Sequence, residues 1–287
     1  MKDGHDSAHV RVALVQMEPK RGEVARNVAV LREWIAIAAE RGAQLVVFPE
    51  CATSGYGYDV LDQAWPHAVE LDGSELRSIR DACMEAGVFC VLGFLERIHP
   101  PRKIHNTAVL IGREGLLTVY RKIHLPGIGV DRFTTPGMEP FRVHHIAELD
   151  LRLGLHICYD GGFPEATRVL ALEGADLAVL PTNWATGTEA IAEHLPSCRA
   201  MENVIYFAAV NRVGTEGDFT YIGRSSAADP SGRVLARASA DREEMILFDL
   251  NTARARSKKI VRIPGKAEVD RFRDRRPEFY GRLVMPQ

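Results

Sequence analysis

Apolar residues in this chain come in short unbroken runs that alternate with longer stretches of helical spacing. RVALVQM (11–17) is a β-type run. Val28, Leu31, Ile35 and Ala38–Ala39 then recur on one face of a helix predicted over Val24–Glu40. Gly42 supplies the C-terminal stop of that helix, and QLVVF (44–48) reads as a buried strand. A helix near 74–86 leads to the strand VFCVLGFL (88–95), and NTAVLIGREGLLTVYRK (106–122) reads as a hairpin turning at REG. After a loop rich in Pro and Gly (126–140), LRLGLHIC (151–158) restarts the alternation. A helix near 165–173, the strand ADLAVLP (175–181), a helix near 187–202 and the strand VIYFAAVN (204–211) follow. SSAADPSGRVLARAS (225–239) is a second hairpin with its turn at Pro230–Gly232, and EEMILFDL (243–250) is a closing strand. From about Lys258 to residue 287 the chain is basic and nearly without periodicity, which predicts an extended or frayed C-terminal arm. Residues 1 to about 9 read as a flexible N-terminus.

The two halves share a detail. RGAQLVVFPE (41–50) and EGADLAVLPT (173–182) carry Gly, Ala, Leu, Val and Pro in register, each after a strand–helix pair. Two such units bury their sheets face to face with helices outside, which predicts an α/β fold of four layers, an α-β-β-α sandwich. No linker separates the halves, so residues 1–287 are read as one domain.

Composition narrows the function classes. Hydrophobic residues at 46% and charged residues at 26% are ordinary for a globular chain and exclude disordered and fibrous classes. The net charge is −2 with both signs interspersed, so neither nucleic acid nor a membrane surface is an expected partner. The start MKDGHDSA has no apolar h-region, and no apolar run approaches the ~18 residues of a spanning helix. The five cysteines are odd in number and form no CxxC pair, which predicts reduced thiols in a soluble, cytoplasmic protein and weighs against a thiol-redox role.

Sites in layered α/β folds are assembled at strand ends, and three residues there bear chemistry. Glu50 follows LVVFP, Lys122 ends LLTVYRK, and Cys158 ends LRLGLHIC. Singly, each has a plain reading: a turn acid, a lysine reaching for water, a small core thiol. Together they make the base, cation and nucleophile of a thiol-dependent acyl transfer. A strand followed by the sharp Gly161–Gly162 turn and a helix is the geometry of a nucleophile elbow. Helix N-terminal amides and a nearby ammonium lower a thiol's pKa, so a thiolate near neutral pH is expected. His156, two residues before Cys158, is a rival base; neither it nor His124 comes with an evident orienting acid.

The order VVFPE, YRKIHLP and ICYDGGFPE resembles the nitrilase superfamily of carbon–nitrogen hydrolases, amidase and carbamoylase branch, whose members use a Glu–Lys–Cys triad. ALVQ, the TSGY after Glu50, LPTNW (180–184), CRAMENVIYFAAVN (198–211), the DPSG turn and RRPEFYG extend the resemblance over nearly the whole chain. The family's αββα sandwich agrees with the duplicated unit. The resemblance implies that Glu50 is the general base and Cys158 the nucleophile that forms a thioester. Lys122 and the backbone N–H of Tyr159 then stabilise the oxyanion. It implies no metal and no organic cofactor, a small-molecule amide substrate, and a homodimer or higher homo-oligomer. The dimer is expected through the helices that follow the catalytic strands and the C-terminal arm.

Tyr56, Asn183 and Trp184 are candidates to edge the substrate pocket, while Glu165, Arg168, Arg199 and Glu202 are read as a structural ion-pair network. One position departs from the family. Amidase-like members carry a second glutamate in the loop after the lysine. Here GIGVDRFTTPG offers Asp131, one methylene shorter and about one residue off in spacing. Asp131 is expected to hold the ammonium and orient the amide. CYD resembles the amidase and carbamoylase branches more than true nitrilases, and hydrolysis of a small linear amide is expected, ahead of an N-carbamoyl compound and then a nitrile. The acyl group depends on loops 55–65, 126–138 and 184–194. A non-catalytic scaffold member of the fold would be expected to lose part of the triad, and no appended synthetase segment points to a fused glutaminase subunit.

Overall fold

The computed structural model describes residues 9–285, so the residues before His9, where a flexible N-terminus was expected, lie outside them. The first half runs β1 (His9–Gln16), α1 (Val24–Glu40), β2 (Leu45–Val47), a single turn α2 (Leu61–Ala64), α3 (Ser74–Ala86), β3 (Phe89–Ile98), β4 (Lys103–Gly112) and β5 (Gly115–Arg121). The second runs β6 (Val143–Ile146), β7 (Leu151–Leu155), α4 (Pro164–Leu172), β8 (Leu177–Pro181), α5 (Glu189–Asn203) and β9 (Tyr206–Val210). It continues through the hairpin β10 (Val213–Glu216) and β11 (Phe219–Ile222), then β12 (Ser226–Ala228) and β13 (Val234–Arg237). β14 (Glu244–Asn251), a turn α6 (Thr252–Arg256), and the hairpin β15 (Lys259–Ile263) and β16 (Ala267–Asp270) complete the chain.

Two six-stranded sheets result, ordered β14-β1-β2-β3-β4-β5 and β13-β12-β9-β8-β7-β6. β1, β2 and β3 are parallel, as are β7, β8 and β9, and antiparallel strands flank each parallel core. Every strand of a parallel core is covered on both faces, which is why its sequence is apolar throughout rather than alternating. In β2, Leu45 and Val47 face the opposite sheet, and in β8 Leu177 and Val179 face back at them. Val46 and Phe48 turn outward onto Leu31 and Ile35 of α1 and Ile79 of α3, while Ala178 and Leu180 turn onto Leu170 of α4 and Ala192 of α5. The duplicated decapeptides therefore place equivalent residues on equivalent faces, and the four layers are helix, sheet, sheet, helix. Burying each such side chain contributes about 1.5–3 kcal/mol, so a polar residue at any of these positions is strongly disfavoured. The helix α1 buries Val28, Leu31, Ile35 and Ala38, and Gly42 beyond its end takes the left-handed φ of +77°.

Three features differ from the pattern-based expectation. β6 and the β10–β11 hairpin were not foreseen, because strands of four residues with Gly, Thr, His and Glu carry little periodic signal. The C-terminal arm carries an exposed hairpin, β15–β16, and is anchored where it leaves the body. Arg256 bonds Asp150 at 2.7 Å and Asp176 at 2.8 Å, and Lys258 Nζ donates to the Val204 carbonyl at 2.8 Å. Among the described residues, no helix is long and apolar enough to cross a membrane.

Candidate active site

Because β2, β5, β7 and β8 all end at the same edge of the sandwich, the residues that follow them meet there. Glu50 comes two residues after Phe48 and passes over β3 at Gly93, where a Cβ would lie 2.6 Å from the Pro49 oxygen and 2.7 Å from Glu50 Cα. Glycine is required for that approach. The Glu50 carboxylate is fully buried, and its two oxygens have different surroundings. Oε1 accepts from Lys122 Nζ at 2.7 Å and from Asn106 Nδ2 at 2.7 Å; Oε2 has no partner among the described residues. Burial raises the Glu50 pKa; Lys122 opposes the shift, and the negative charge of Asp131 adds to it.

Asp131 lies in a short 3-10 turn, Gly129–Arg132, and reaches the lysine despite its shorter side chain. Its Oδ2 lies 2.5 Å from Lys122 Nζ and 3.0 Å from the Tyr56 hydroxyl; its Oδ1 accepts from Asn106 Nδ2 at 3.0 Å and Thr134 Oγ1 at 3.3 Å. Gly129 makes room for this. A Cβ there would stand 2.2 Å from Tyr56 Cε1, and its φ is +50°. Tyr56 is in turn held by Glu216 of the β10–β11 hairpin, whose Oε2 accepts from the N–H groups of Tyr56 (2.9 Å) and Gly57 (2.8 Å) while Oε1 pairs with buried Arg212. Lys122 thus uses two of its three N–H donors on carboxylates and keeps one for a ligand. Burial disfavours its charge, but Glu50 and Asp131 outweigh burial and hold the ammonium well above the usual lysine range.

Cys158 has a left-handed φ of +44°, a conformation that costs a non-glycine residue about 1–3 kcal/mol. Its neighbours stabilise the bend. Asp160 accepts from the Ile157 N–H (3.0 Å), the His124 N–H (3.0 Å), His124 Nδ1 (2.7 Å) and the Tyr120 hydroxyl (2.7 Å), tying the elbow to the strand that carries Lys122. Arg199 donates to the carbonyls of Gly161 (3.0 Å) and Gly162 (3.2 Å) and pairs with Glu202 (2.9 Å). Of the expected ion-pair network, Arg199–Glu202 therefore forms, and Arg168 donates to the Glu202 carbonyl rather than to a carboxylate.

The expectation of a low-pKa thiolate is corrected here. Burial, then the Glu50 charge, push the Cys158 thiol up to about 12, against the lowering influence of Lys122, the Asn183 N–H and Thr182. His156 is also excluded as a base: Nδ1 is 2.8 Å from the Val179 carbonyl oxygen, Nε2 is 3.1 Å from Thr167 Oγ1, and burial lowers its pKa to about 4. Trp184 packs into the core between the second sheet and its helices, and Tyr159 is 46% exposed with its ring edge-on to Phe163. Asn183 is buried, and neither carboxamide atom has a partner.

Sequence reasoning missed Asn106 and Asp160. Asn106 spends both amide protons bridging the two acids, and the polar pair Asn106–Thr107 just before the apolar run AVLI of β4 was its signal. Asp160 is the acid that orients His124. Among the described residues, no three His, Cys, Asp or Glu side chains are placed to hold a metal ion.

The carbon–nitrogen hydrolase family model matches residues 11–260, nearly the whole chain. The chain belongs to the carbon–nitrogen hydrolase family. It is 34% identical to a nitrilase of Pyrococcus abyssi over 95% of this chain and 100% of that one. It is 33% identical to an (R)-stereoselective amidase of a Pseudomonas species, over 93% and 92%. A cysteine-to-alanine variant of the Nesterenkonia AN1 amidase superimposes with a TM-score of 0.82 at 27% identity, over 97% of this chain and 98% of that one. Another variant of that amidase carries the acetamide moiety of fluoroacetamide covalently on its active-site cysteine. The family confirms the resemblance read from the motifs, and these neighbours share the four-layer sandwich.

Proposed function

We propose that this hydrolase cleaves the C–N bond of a small linear amide through a thioester on Cys158. The observation that carries the reading is the asymmetry of Glu50, with one oxygen held by Lys122 and Asn106 and the other buried and unpartnered. Oε2 takes the thiol proton as the Cys158 sulfur attacks the substrate carbonyl carbon. The third Lys122 N–H and the backbone N–H of Tyr159 face the oxyanion, in a site where burial strengthens them. Collapse breaks the C–N bond, and Glu50 returns the proton to the departing nitrogen, so that ammonia leaves. A water then loses a proton to Glu50 and attacks the thioester. The C–S bond breaks, the thiol regains its proton, and the carboxylic acid is released. The covalent acetamide on the Nesterenkonia cysteine supports assigning the nucleophile to Cys158.

Asp131 differs from Glu50 in that both of its oxygens are engaged. It is assigned to holding Lys122 and setting the basicity of Glu50, rather than to gripping the amide nitrogen. A panel of small amides, N-carbamoyl compounds and nitriles tests the reading, followed by mass spectrometry of quenched protein. Ammonia from simple amides with an acyl adduct on the Cys158 peptide is the expected result. Carbon dioxide with ammonia from carbamoyl compounds alone, or turnover of nitriles alone, overturns the amide assignment.

The partner assigned to the protein itself is a second copy, docked through α4, α5 and the C-terminal arm. Val169 and Leu172 of α4 and Met201 of α5 are 39%, 43% and 43% exposed, a cluster of apolar surface on the helices that follow the catalytic strands. Sedimentation velocity is expected to report a dimer. A monomer at every concentration sinks this assignment.

A further inference from the structure

Around the proposed nucleophile, Glu50 Oε2 and both carboxamide atoms of Asn183 are buried and have no partner among the described residues, and the buried Thr182 Oγ1 has at most the Cys158 thiol. The first is the base, and Thr182 lies beside the Cys158 thiol. Asn183 has no task in the reaction. Its side chain sits in a residue that is only 8% exposed, and a buried amide with nothing to bond keeps its full desolvation penalty. Nor is the loop free to turn it toward water. The Thr182 N–H donates to the Val210 carbonyl at 2.9 Å. The Asn211 carboxamide accepts from the Trp184 N–H at 2.8 Å and donates to the Trp184 carbonyl at 3.0 Å. The Asn183 N–H itself is directed at the Cys158 sulfur.

We propose that Asn183 is a specificity-determining residue that reads a polar substituent on the carbon next to the scissile carbonyl, so that the preferred substrates are α-hydroxy amides rather than plain alkyl amides. This rests on the amidase reading. Side matters: Asn106 lies in β4 of the first sheet, Glu50 and Lys122 follow its strands β2 and β5, and Asp131 meets them where the nitrogen must be protonated, whereas Asn183 follows β8 of the second sheet with its N–H at Cys158. A substrate bonded to Cys158 with its nitrogen toward Glu50 extends its acyl carbon toward Asn183. A carboxamide offers one acceptor and one donor group, and a hydroxyl satisfies both by donating to Oδ1 and accepting from Nδ2. An alkyl group satisfies neither, and sites built to bond a hydroxyl reject its alkyl analogue strongly.

Lactamide and isobutyramide differ only by hydroxyl against methyl, and the pair isolates this contact. Wild-type protein is expected to favour lactamide in kcat/KM by ~10-fold or more, and Asn183→Leu, similar in volume, to remove or invert that ratio. An unchanged ratio in Asn183→Leu, or a wild-type preference for isobutyramide, overturns the proposal. Binding to Cys158→Ala and Cys158→Ala/Asn183→Leu proteins, followed by saturation-transfer NMR, asks the same question without turnover. A lactamide preference that depends on Asn183, in a protein that releases no ammonia from either compound, counts against the amidase reading and not against Asn183. No such preference in binding, including no binding of either compound, overturns the role of Asn183.

Discussion

In Glu50→Gln protein, kcat is expected to fall by at least ~100-fold, and alkylation of Cys158 by iodoacetamide to slow with it. Glutamine keeps the shape and one acceptor oxygen, so Lys122 and Asn106 retain a partner, while the free oxygen that takes the proton is lost. That loss matters because burial, then the Glu50 charge, push the Cys158 thiol up to about 12. The nucleophile must be generated during attack, which makes labelling of Cys158 depend on Glu50. Cys198, which is exposed, is the internal control and should label at one rate in both proteins; Cys51, Cys83 and Cys90 are buried. The pH profile adds a signature. Glu50 acts only as the carboxylate, and its pKa is raised, so kcat/KM should rise through an acid limb lying above the ordinary glutamate value of about 4.3. Lys122 is held well above its usual range and contributes no limb near neutrality. Wild-type-like labelling and turnover in Glu50→Gln would falsify the assignment of the base.

Glu50, Lys122 and Cys158, the proposed triad, could be picked out because each ends an apolar run, and the chemistry of a layered sheet gathers where such runs stop. The sandwich was legible because LVV and LAV recur in register, and period-two alternation then assigns faces without further information. What was not legible depends on distance along the chain or depth in the fold. Asp160 meets His124 across 36 residues, and Glu216 meets Tyr56 across 160, so neither pairing leaves a local pattern. The thiol's state was misread for a related reason. Spacing predicts an elbow and a neighbouring ammonium, but not the burial and the Glu50 charge that raise the thiol's pKa. His156 was placed on the same strand face as Cys158. That face packs against α4, where Thr167 receives it, and the left-handed turn at Cys158 brings the thiol instead to Thr182 and Asn183.

Asp131→Ala is expected to lose most amidase activity, on the order of 100-fold in kcat, while Glu139→Ala loses little. Glu139 is a useful control because its carboxylate is 76% exposed and pairs with Arg142 at 3.2 Å, whereas Asp131 is buried against Lys122. Two consequences of the deletion separate Asp131 from a merely structural acid. First, Lys122 loses one of its two anchors and is drawn onto Glu50 alone, so the ammonium no longer sits where its third N–H meets the oxyanion. Second, the negative charge of Asp131 is one of the causes that raise the Glu50 pKa; without it, Glu50 is a weaker base and ionises at lower pH. The acid limb of kcat/KM should therefore move down in pH as the plateau falls, a pairing that partial unfolding does not produce. Asp131→Glu tests the fit from the other side. The extra methylene displaces a carboxylate already held 2.5 Å from Lys122 Nζ and 3.0 Å from the Tyr56 hydroxyl, so this variant should not recover wild-type turnover. A full recovery in Asp131→Glu, or an acid limb that stays in place in Asp131→Ala, would mean that Asp131 neither tunes Glu50 nor sets the position of Lys122.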